Sequence, residues 1–524
     1  MPSITSYSFT PETFKILRQT ELGNDWPVVY LLENGSNIYI GETISAAHRF
    51  KQHFDKPERQ KLKRAHIIFD EEYNKSATLD IESSLIQFMA ADNVFALENS
   101  NRGLANHSYF DREKYQAKFE VIWDKLKGIG FAKQDLIQLK NTDLYKYSPY
   151  KALTDEQINI VEDIKFNLSG GAHSLYIVNG EPGTGKSVLA VYLAKYLKAF
   201  DDTKNLKVAL VVPMTSLRKT LKKVFSNVAE LSPNMVIGPT EIVGQEYDLL
   251  IVDEAHRLRR RVNLSSYQPY DQANKYYGLG KEGTQLDWIL RASKSQMLLY
   301  DEDQSVVPGD IRSADIKSLQ AIHYKLTNQL RILAGSDYIQ YIDRLLTLQP
   351  LKRPDFGNYE LKYFDSVADM VHLIKQRNEE FGLARLVAGY AWSWRTKKPG
   401  SYDYDIDLDG LKLKWNSTNN DWVNSKSAID EVGCIHTVQG YDLNYVGVII
   451  GPEIRYDPVH NTLIVDRSKY MDINGRRSVE SDEELNNYIV NIYKTLLTRG
   501  IKGTFIHAVD PELATYIKAQ LKVQ

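Results

Sequence analysis

The sequence predicts an α/β protein: a small α+β block followed by two parallel-sheet α/β blocks. Three observations carry this. A chain of 524 residues is too long for one hydrophobic core, and at roughly 100 to 200 residues per domain about three domains are expected. From about residue 146 onward, short apolar runs alternate with helical stretches, the pattern of a parallel sheet with crossover helices. The residues before that open instead on two β-type runs joined by a tight turn. The expected blocks are 1–145, 146–315 and 316–524.

In the first block, Val28 to Leu32 and Asn37 to Gly41 read as strands, and Asn34-Gly35 between them is a hairpin signal. A basic helical stretch follows. Ile81, Leu85, Ile86 and Met89 recur with helical spacing, which places Glu82 near the start of an amphipathic helix. Asn99 to Tyr109, rich in Asn, Gly, Ser and His, reads as a loop. The second block offers buried strands at Ser174 to Val178, Val208 to Val212, Leu249 to Val252 and Met297 to Tyr300. The third offers Ala384 to Ala391, Tyr445 to Ile450 and Thr504 to Ala508. No repeat of solenoid period is present.

Composition narrows the class. Hydrophobic residues at 43% and charged residues at 25%, with 33 Tyr and 7 Trp, describe a globular chain rather than a disordered or fibrous one. No apolar run approaches the roughly 18 residues that span a bilayer, and Met1 to Thr10 has neither a basic n-region nor an apolar h-region. The single cysteine, Cys434, excludes an intramolecular disulfide and a cysteine zinc cage and fits a reducing compartment. A cytoplasmic protein with no membrane partner is expected. The net charge of −2 argues against coating nucleic acid by bulk electrostatics, but a local basic groove remains compatible with it. Arg49 to Arg64 and the cluster Arg257, Arg259, Arg260 and Arg261 are the candidates, with a solvated helix face as the plain alternative.

The strongest motif is Gly180-Glu-Pro-Gly183-Thr-Gly185-Lys186-Ser187, between the apolar run Leu175 to Val178 and the helical Val188 to Leu197. Glycines let backbone N–H groups wrap phosphate oxygens at a helix N-terminus. Lys186 then reaches the β and γ phosphates, and Ser187 offers a hydroxyl to magnesium. Leu249-Leu-Ile-Val252-Asp253-Glu254-Ala255-His256 supplies the partner strand. Asp253 is placed to hold magnesium, and Glu254 to orient and deprotonate the attacking water. ATP and Mg²⁺ are the expected ligands.

From these residues onward the chain resembles superfamily 1 helicases, specifically the bacterial Schlafen-type ATPase/helicase domain, over about 370 residues. Leu153 to Gln157 is similar to the Q motif that reads adenine, through Gln157. Val211 to Thr215 falls where family members contact the nucleic-acid strand. Tyr300-Asp-Glu-Asp-Gln304 is similar to motif III, with Gln304 implied as γ-phosphate sensor. Leu326 to Arg331, Ile435-His-Thr-Val-Gln439-Gly440 and Thr495 to Gly500 correspond to motifs IV, V and VI. The resemblance implies two RecA-like lobes, with Arg331 and Arg499 as arginine fingers from the second lobe, worth roughly 10³ to 10⁵ in rate.

The first block resembles the GIY-YIG nuclease domain. Val28-Val29-Tyr30 stands for the first triplet and Tyr39-Ile40-Gly41 matches the second. Arg49, His53 and Glu82 follow at family-like spacing, with Asn99 as the terminal Asn and Asn101 and Asn106 as rivals. The resemblance implies that Glu82 holds one divalent metal, Mg²⁺ or Mn²⁺. It also implies that Tyr30 is the general base or its relay, that Arg49 neutralises the phosphate, and that Tyr39 and His53 position the nucleophile.

Two signals are set aside. Asp405 to Gly410 imitates the start of a calcium loop, but the twelfth position is Asn416 where a bidentate Glu is needed, and the flanking alternation suggests a hairpin. The histidines lack zinc-hydrolase spacing. Tyr390, Trp392 and Trp394 suit base stacking or core packing. The expected function is an ATP-driven nucleic-acid motor fused to a metal-dependent endonuclease acting on nucleic acid, DNA first, in bacterial defence by family analogy. The alternative is an ATP-gated nucleic-acid sensor whose first domain only binds.

Overall fold

The computed structural model describes residues 1–99, 109–264, 266–301, 304, 309–349, 352–397, 402–418, 421–473, 476, 479 and 481–522. They form two compact units. One comprises Met1–Gly170, Val188–Asn205 and Leu221–Pro233, the other Gly171–Ser187, Leu206–Thr220 and Asn234–Gln524. No helix among the described residues is long and apolar enough to cross a membrane.

The first unit is organised by a five-stranded sheet of β1 (Ser3–Ser8), β2 (Val28–Glu33), β3 (Asn37–Thr43), β4 (Arg64–Phe69) and β5 (Ala96–Leu97), in the order β1-β4-β2-β3-β5. All six residues of β2 are buried, which explains why it reads as an unbroken apolar run: both of its faces are covered. Val28, Tyr30 and Leu32 join Phe9, Phe14, Leu17 and Phe50 in one core. Helix Lys75–Asp92 packs on β2 and β3. The turn between β2 and β3 closes as its sequence predicts, with Asn34 Oδ1 accepting from the N–H groups of Ser36 and Asn37 at 3.1 and 2.8 Å.

Two expectations are corrected here. Glu82 lies two turns inside its helix, not near the start, because Asn74 caps the helix at the Ala77 N–H (2.9 Å) well before the apolar periodicity begins. The basic run is helical only over Ala46–Phe54; it then turns at Pro57–Arg59 and becomes β4.

The second unit holds two sheets. The first contains β6 (Leu175–Gly180), β7 (Val208–Val211), β8 (Val236–Ile237), β9 (Tyr247–Val252), β10 (Ser293–Tyr300) and β11 (Ile322–Leu326), all parallel, in the order β11-β6-β10-β9-β7-β8. The second contains β12 (Glu360–Tyr363), β13 (Ala384–Ala388), β14 (Ile406–Leu408), β15 (Leu411–Trp415), β16 (Glu431–Gly433), β17 (Leu443–Ile450) and β20 (Gly500–Ala508), in the order β12-β20-β17-β13-β16-β15-β14. It is parallel apart from the β14–β15 hairpin. A separate antiparallel pair is formed by β18 (Ile454–Asp457) and β19 (Thr462–Val465). Two parallel α/β sheets are what the alternating apolar runs predict.

The boundary at 316 is corrected, since β11 pairs with β6 in the first sheet and the second core begins at Ile332. The mock calcium loop is the expected hairpin, with the Asp405 carboxylate accepting from the N–H groups of Thr396 and Trp415 at 2.7 and 2.9 Å. Tyr390 stacks on buried Trp415, ring centroids 5.7 Å apart, so packing claims that aromatic. At the carboxyl ends of β13 and β17, the buried Glu453 carboxyl accepts from the Tyr493 hydroxyl.

Candidate functional site

The phosphate-loop site follows from strand register. Parallel pairing sets Val178 beside Leu299 and Val252 beside Leu298, so β6, β9 and β10 end level and deliver Gly180, Asp253 and Asp301 to one sheet edge. Carboxyl ends of parallel strands are where open α/β sheets bind ligands. Gly180 closes β6, Gly185 precedes the helix, and Lys186 is its first residue, so backbone N–H groups converge at a helix N-terminus. Gly183 has φ +88°, and a β-carbon there would overlap the Gln329 amide; only glycine fits.

Lys186 is folded back on its own loop, donating to the carbonyls of Gly180 and Glu181 and pairing with Asp301 Oδ2 at 3.2 Å. Asp301 also accepts from Gln304 Nε2 at 2.6 Å, and Gln304 Oε1 accepts from Arg499 Nη2 at 2.9 Å. Lys186, Asp301, Gln304 and Arg499 are all buried. They form one polar chain from the phosphate loop to the residue that immediately precedes β20 of the second sheet. Gln439, fully buried, donates to the Gln304 carbonyl at 3.5 Å, and Gly440 turns the chain toward β17.

Asp253 and Glu254 are buried carboxylates of different character. Burial pushes Asp253 up and the Glu254 charge adds to this, against a Ser187 hydrogen bond and Lys186. Burial works on Glu254 in the same sense, but His256, Lys186 and Arg499 hold it low. His256 Nε2 stands 2.9 Å from Glu254 Oε2. Glu254 takes φ +54°, a strained conformation of a kind that clusters at active sites. Among the described residues no hydrogen bond reaches the buried Asp253 Oδ2; with the Ser187 hydroxyl it makes a hard-oxygen donor set of the kind magnesium takes.

Arg331 lies on the connection leaving β11, immediately before the second core begins at Ile332, and that connection clasps the phosphate loop: Gln329 Nε2 donates to the Pro182 carbonyl at 2.7 Å and the Leu330 N–H to the Gly183 carbonyl at 2.9 Å. Its guanidinium is held by Asp442 at 2.8 Å and the Thr498 carbonyl at 2.9 Å. Gln157 falls in the first unit, where its side-chain oxygen accepts from the Thr154 N–H at 3.1 Å in a capping box. The cluster after Asp253-Glu254 is not a solvated helix face. Arg257 and Arg259 converge on buried Asp310 at 2.7 and 3.3 Å, and Arg261 pairs with Asp271 at 2.6 Å. Asp301, Gln329 and Asp442 were missed as site residues although each stands inside or beside a quoted motif; no spacing rule marks a residue whose work is to hold another.

In the first unit the sheet gathers Tyr30, Tyr39, Arg49 and His53. Tyr30 on β2 faces Gly41 on β3, and a β-carbon on Gly41 would overlap the Tyr30 phenol, which explains the glycine of the Tyr-Ile-Gly triplet. The Tyr30 hydroxyl lies 2.8 Å from His53 Nε2 and accepts from Arg49 Nε at 3.3 Å. Tyr39 and His53 rings are 4.7 Å apart. Burial pushes the Tyr30 phenol far up, Tyr39 adds to this, and Arg49 opposes it. Burial, with Arg49, Arg59 and Lys56, lowers His53 to about 3, so the imidazole is neutral. In the tautomer with its hydrogen on Nδ1, Nε2 accepts the phenol hydrogen.

Glu82 and Asn99 both serve the open edge of β3. Asn99 is buried and grips Ile40 twice, accepting from its N–H at 3.0 Å and donating to its carbonyl at 2.7 Å. Glu82 takes a backbone hydrogen bond from Glu42, the next outward position, and its carboxyl is raised to about 7 by burial and by the Glu42 charge. Glu42 itself pairs with Lys75. Among the described residues no three metal-ligating side chains converge, but one carboxylate with water completing the shell lies within the Mg²⁺ repertoire. Asn101 and Asn106 lie outside the described residues. Arg59 was missed: its guanidinium rests 4.0 Å from the Tyr39 ring centre, and its only sequence signal is membership of the basic run.

The profile described as Schlafen group 3, DNA/RNA helicase domain, matches residues 173–510. An uncharacterized Saccharomyces cerevisiae protein is 25% identical over 393 residues, 65% of this chain and 83% of that protein. Solved structures include an arterivirus nonstructural protein 10 helicase (15% identity, 68% of this chain, TM-score 0.30) and a Bacteroides Pif1 helicase with ADP-AlF3 and single-stranded DNA (13% identity, 69% of this chain and 94% of that one, TM-score 0.28). The alignment spans slightly under two thirds, 64%, of the arterivirus chain.

Proposed function

Because the chain belongs to the Schlafen group 3 DNA/RNA helicase domain family, we propose that its ATP-hydrolysing motor serves a divalent-metal-dependent endonuclease in the N-terminal unit, with DNA as substrate. The observation that carries the motor half is the buried chain Lys186–Asp301–Gln304–Arg499. To meet the β and γ phosphates Lys186 must leave Asp301, which loosens Gln304 and with it Arg499. Phosphate binding is thereby transmitted to the second sheet, and release resets it. Ser187 and Asp253 would hold magnesium, which would supply charge neutralisation at the phosphates. Glu254, kept ionised by His256, Lys186 and Arg499, orients the attacking water and takes its proton.

In the N-terminal unit, neutral His53 accepts the Tyr30 hydrogen bond at Nε2 and Arg49 donates to the same phenol oxygen, so Tyr30 is held in place to orient the attacking water. Arg49 also neutralises the phosphate. Glu82 would hold Mg²⁺ or Mn²⁺, which would supply Lewis-acid charge neutralisation at the scissile phosphate. Cytoplasmic defence against foreign DNA is the setting this reading suits, on family analogy.

The test is cleavage of labelled circular and linear DNA, single-stranded DNA and RNA, with Mg²⁺ or Mn²⁺ and with or without ATP, by wild type, Glu82→Ala and Lys186→Ala. Cleavage lost in Glu82→Ala and altered in Lys186→Ala is expected. Absence of cleavage on every substrate, with ATP hydrolysis intact, would leave a translocase or sensor. ATP hydrolysis retained by Lys186→Ala would end the motor assignment.

A further inference from the structure

We propose that Arg59 is a second phosphate-binding arginine of the N-terminal site, held over Tyr39 by Glu98 until a nucleic-acid phosphate displaces that carboxylate. This deepens the nuclease reading and rests on its premise that the site takes nucleic acid. Arg59 ends the short turn Pro57–Arg59, ten residues beyond Arg49 and outside any motif. Its guanidinium lies 4.0 Å from the Tyr39 ring centre. Nη1 pairs with Glu98 Oε2 at 2.9 Å, and Nη2 donates to the Glu98 carbonyl at 3.4 Å.

The geometry has two consequences. Tyr30, His53 and Tyr39 form one cluster of rings, and a guanidinium stands at each end of it, Arg49 on the Tyr30 hydroxyl and Arg59 on the Tyr39 face. Both cations oppose protonation of the buried His53 between them, so the field at that ring is positive, as a phosphodiester beside it requires. A planar guanidinium is also the cation best matched to phosphate oxygens. The latch can open at low cost. Glu98 pairs independently with Lys61 at 2.6 Å, so the carboxylate keeps a counter-ion when Arg59 leaves and is not stranded as an unpaired charge. Its backbone stays fixed meanwhile, with the Glu98 N–H on the Ile38 carbonyl at 2.8 Å.

A purely structural ion pair predicts the same outcome from breaking either partner. The latch predicts opposite outcomes, which makes the test decisive. The full chain, in EDTA without ATP, is titrated against a fluorescein-labelled 30-nucleotide single strand and its duplex between 50 and 200 mM NaCl. Arg59→Gln should weaken binding and reduce the slope of log K against log salt by about 0.7 on the single strand and about 0.9 on the duplex, the signature of one lost phosphate contact. Arg59→Lys should keep the slope. Glu98→Gln should tighten binding by about twofold or more, because this largely buried ion pair no longer competes for the guanidinium. Parallel weakening by Arg59→Gln and Glu98→Gln, or an unchanged slope in Arg59→Gln at wild-type melting temperature, overturns the proposal. Cleavage by Glu82→Gln, assayed separately, reports on the nuclease reading: if it is unimpaired that reading falls, and the salt slopes still decide Arg59.

Discussion

Replacing Arg499 with alanine should stop ATP turnover without stopping ATP binding. The guanidinium is buried and donates to Gln304 Oε1 at 2.9 Å, to the Tyr441 carbonyl at 3.4 Å and to the Thr495 carbonyl at 3.3 Å. The Gln304 contact places the guanidinium to act on a γ-phosphate reached through Gln304. At a separation of about 4 Å and an effective dielectric near 20, one such cation contributes roughly 4 kcal/mol to the developing charge. That corresponds to about 10³ in kcat, within the span for arginine fingers. The same truncation leaves Gln304 Oε1 without this donor in a buried site, which should cost about 1 to 3 kcal/mol of stability. Steady-state ATP hydrolysis with and without single-stranded DNA, paired with fluorescent-nucleotide binding, separates the two effects. Lysine at 499 should recover only part of the rate, since a point charge lacks the guanidinium fork. A kcat within tenfold of wild type, with nucleotide affinity unchanged, would refute the assignment of Arg499 and the polar chain as the route between the sheets.

Two further outcomes follow from buried groups. Burial raises Glu453 to about 7, against the Tyr493 hydrogen bond, so the folded acid keeps its proton where the unfolded chain, near 4.5, has lost it. The contribution of Glu453 to stability should therefore be full below pH 4.5 and fall by up to about 3 kcal/mol as pH rises to 7. Glu453→Gln should flatten that dependence in urea unfolding between pH 4.5 and 8, and a slope unchanged by the substitution would contradict it. Gly41→Ala places a β-carbon in the Tyr30 phenol, which should cost about 1 to 3 kcal/mol and lower cleavage by about 10² to 10⁴ through loss of the Tyr30–His53 contact. ATP hydrolysis should be spared, and wild-type cleavage by this variant would count against Tyr30.

Legibility varied with the kind of signal. The strands β6, β9 and β10 were readable because parallel strands covered on both faces must be apolar throughout, as was the β2–β3 hairpin because its turn chemistry is local. Glu82 was found but misplaced along its helix, since the Asn74 cap precedes the apolar periodicity by almost two turns. Strand β11 went unread, and the expected boundary at 316 placed its residues with the second sheet. Its residues Ile322 to Lys325 are mostly exposed at a sheet edge, so its burial pattern carries no mark of which sheet it joins. Arg257 and Arg259 read as either a basic groove or a solvated face because their partner, Asp310, lies about fifty residues away.

By itself the sequence determined the chemistry on offer: a glycine-rich loop with Lys186 and Ser187, an acid pair at the end of β9, and a Tyr-Tyr-Arg-His-Glu-Asn set ahead of them. These are local because backbone conformation and residue type are set within a few positions. Only the tertiary structure decided who holds whom. Lys186 rests on Asp301, Arg331 on Asp442, Arg59 on Glu98, and Asn99 spends its amide on the edge of β3. Such pairings depend on strand order and register, which bring residues 39 to 195 positions apart within hydrogen-bonding reach, and no local pattern encodes a distance that the chain crosses only once it has folded.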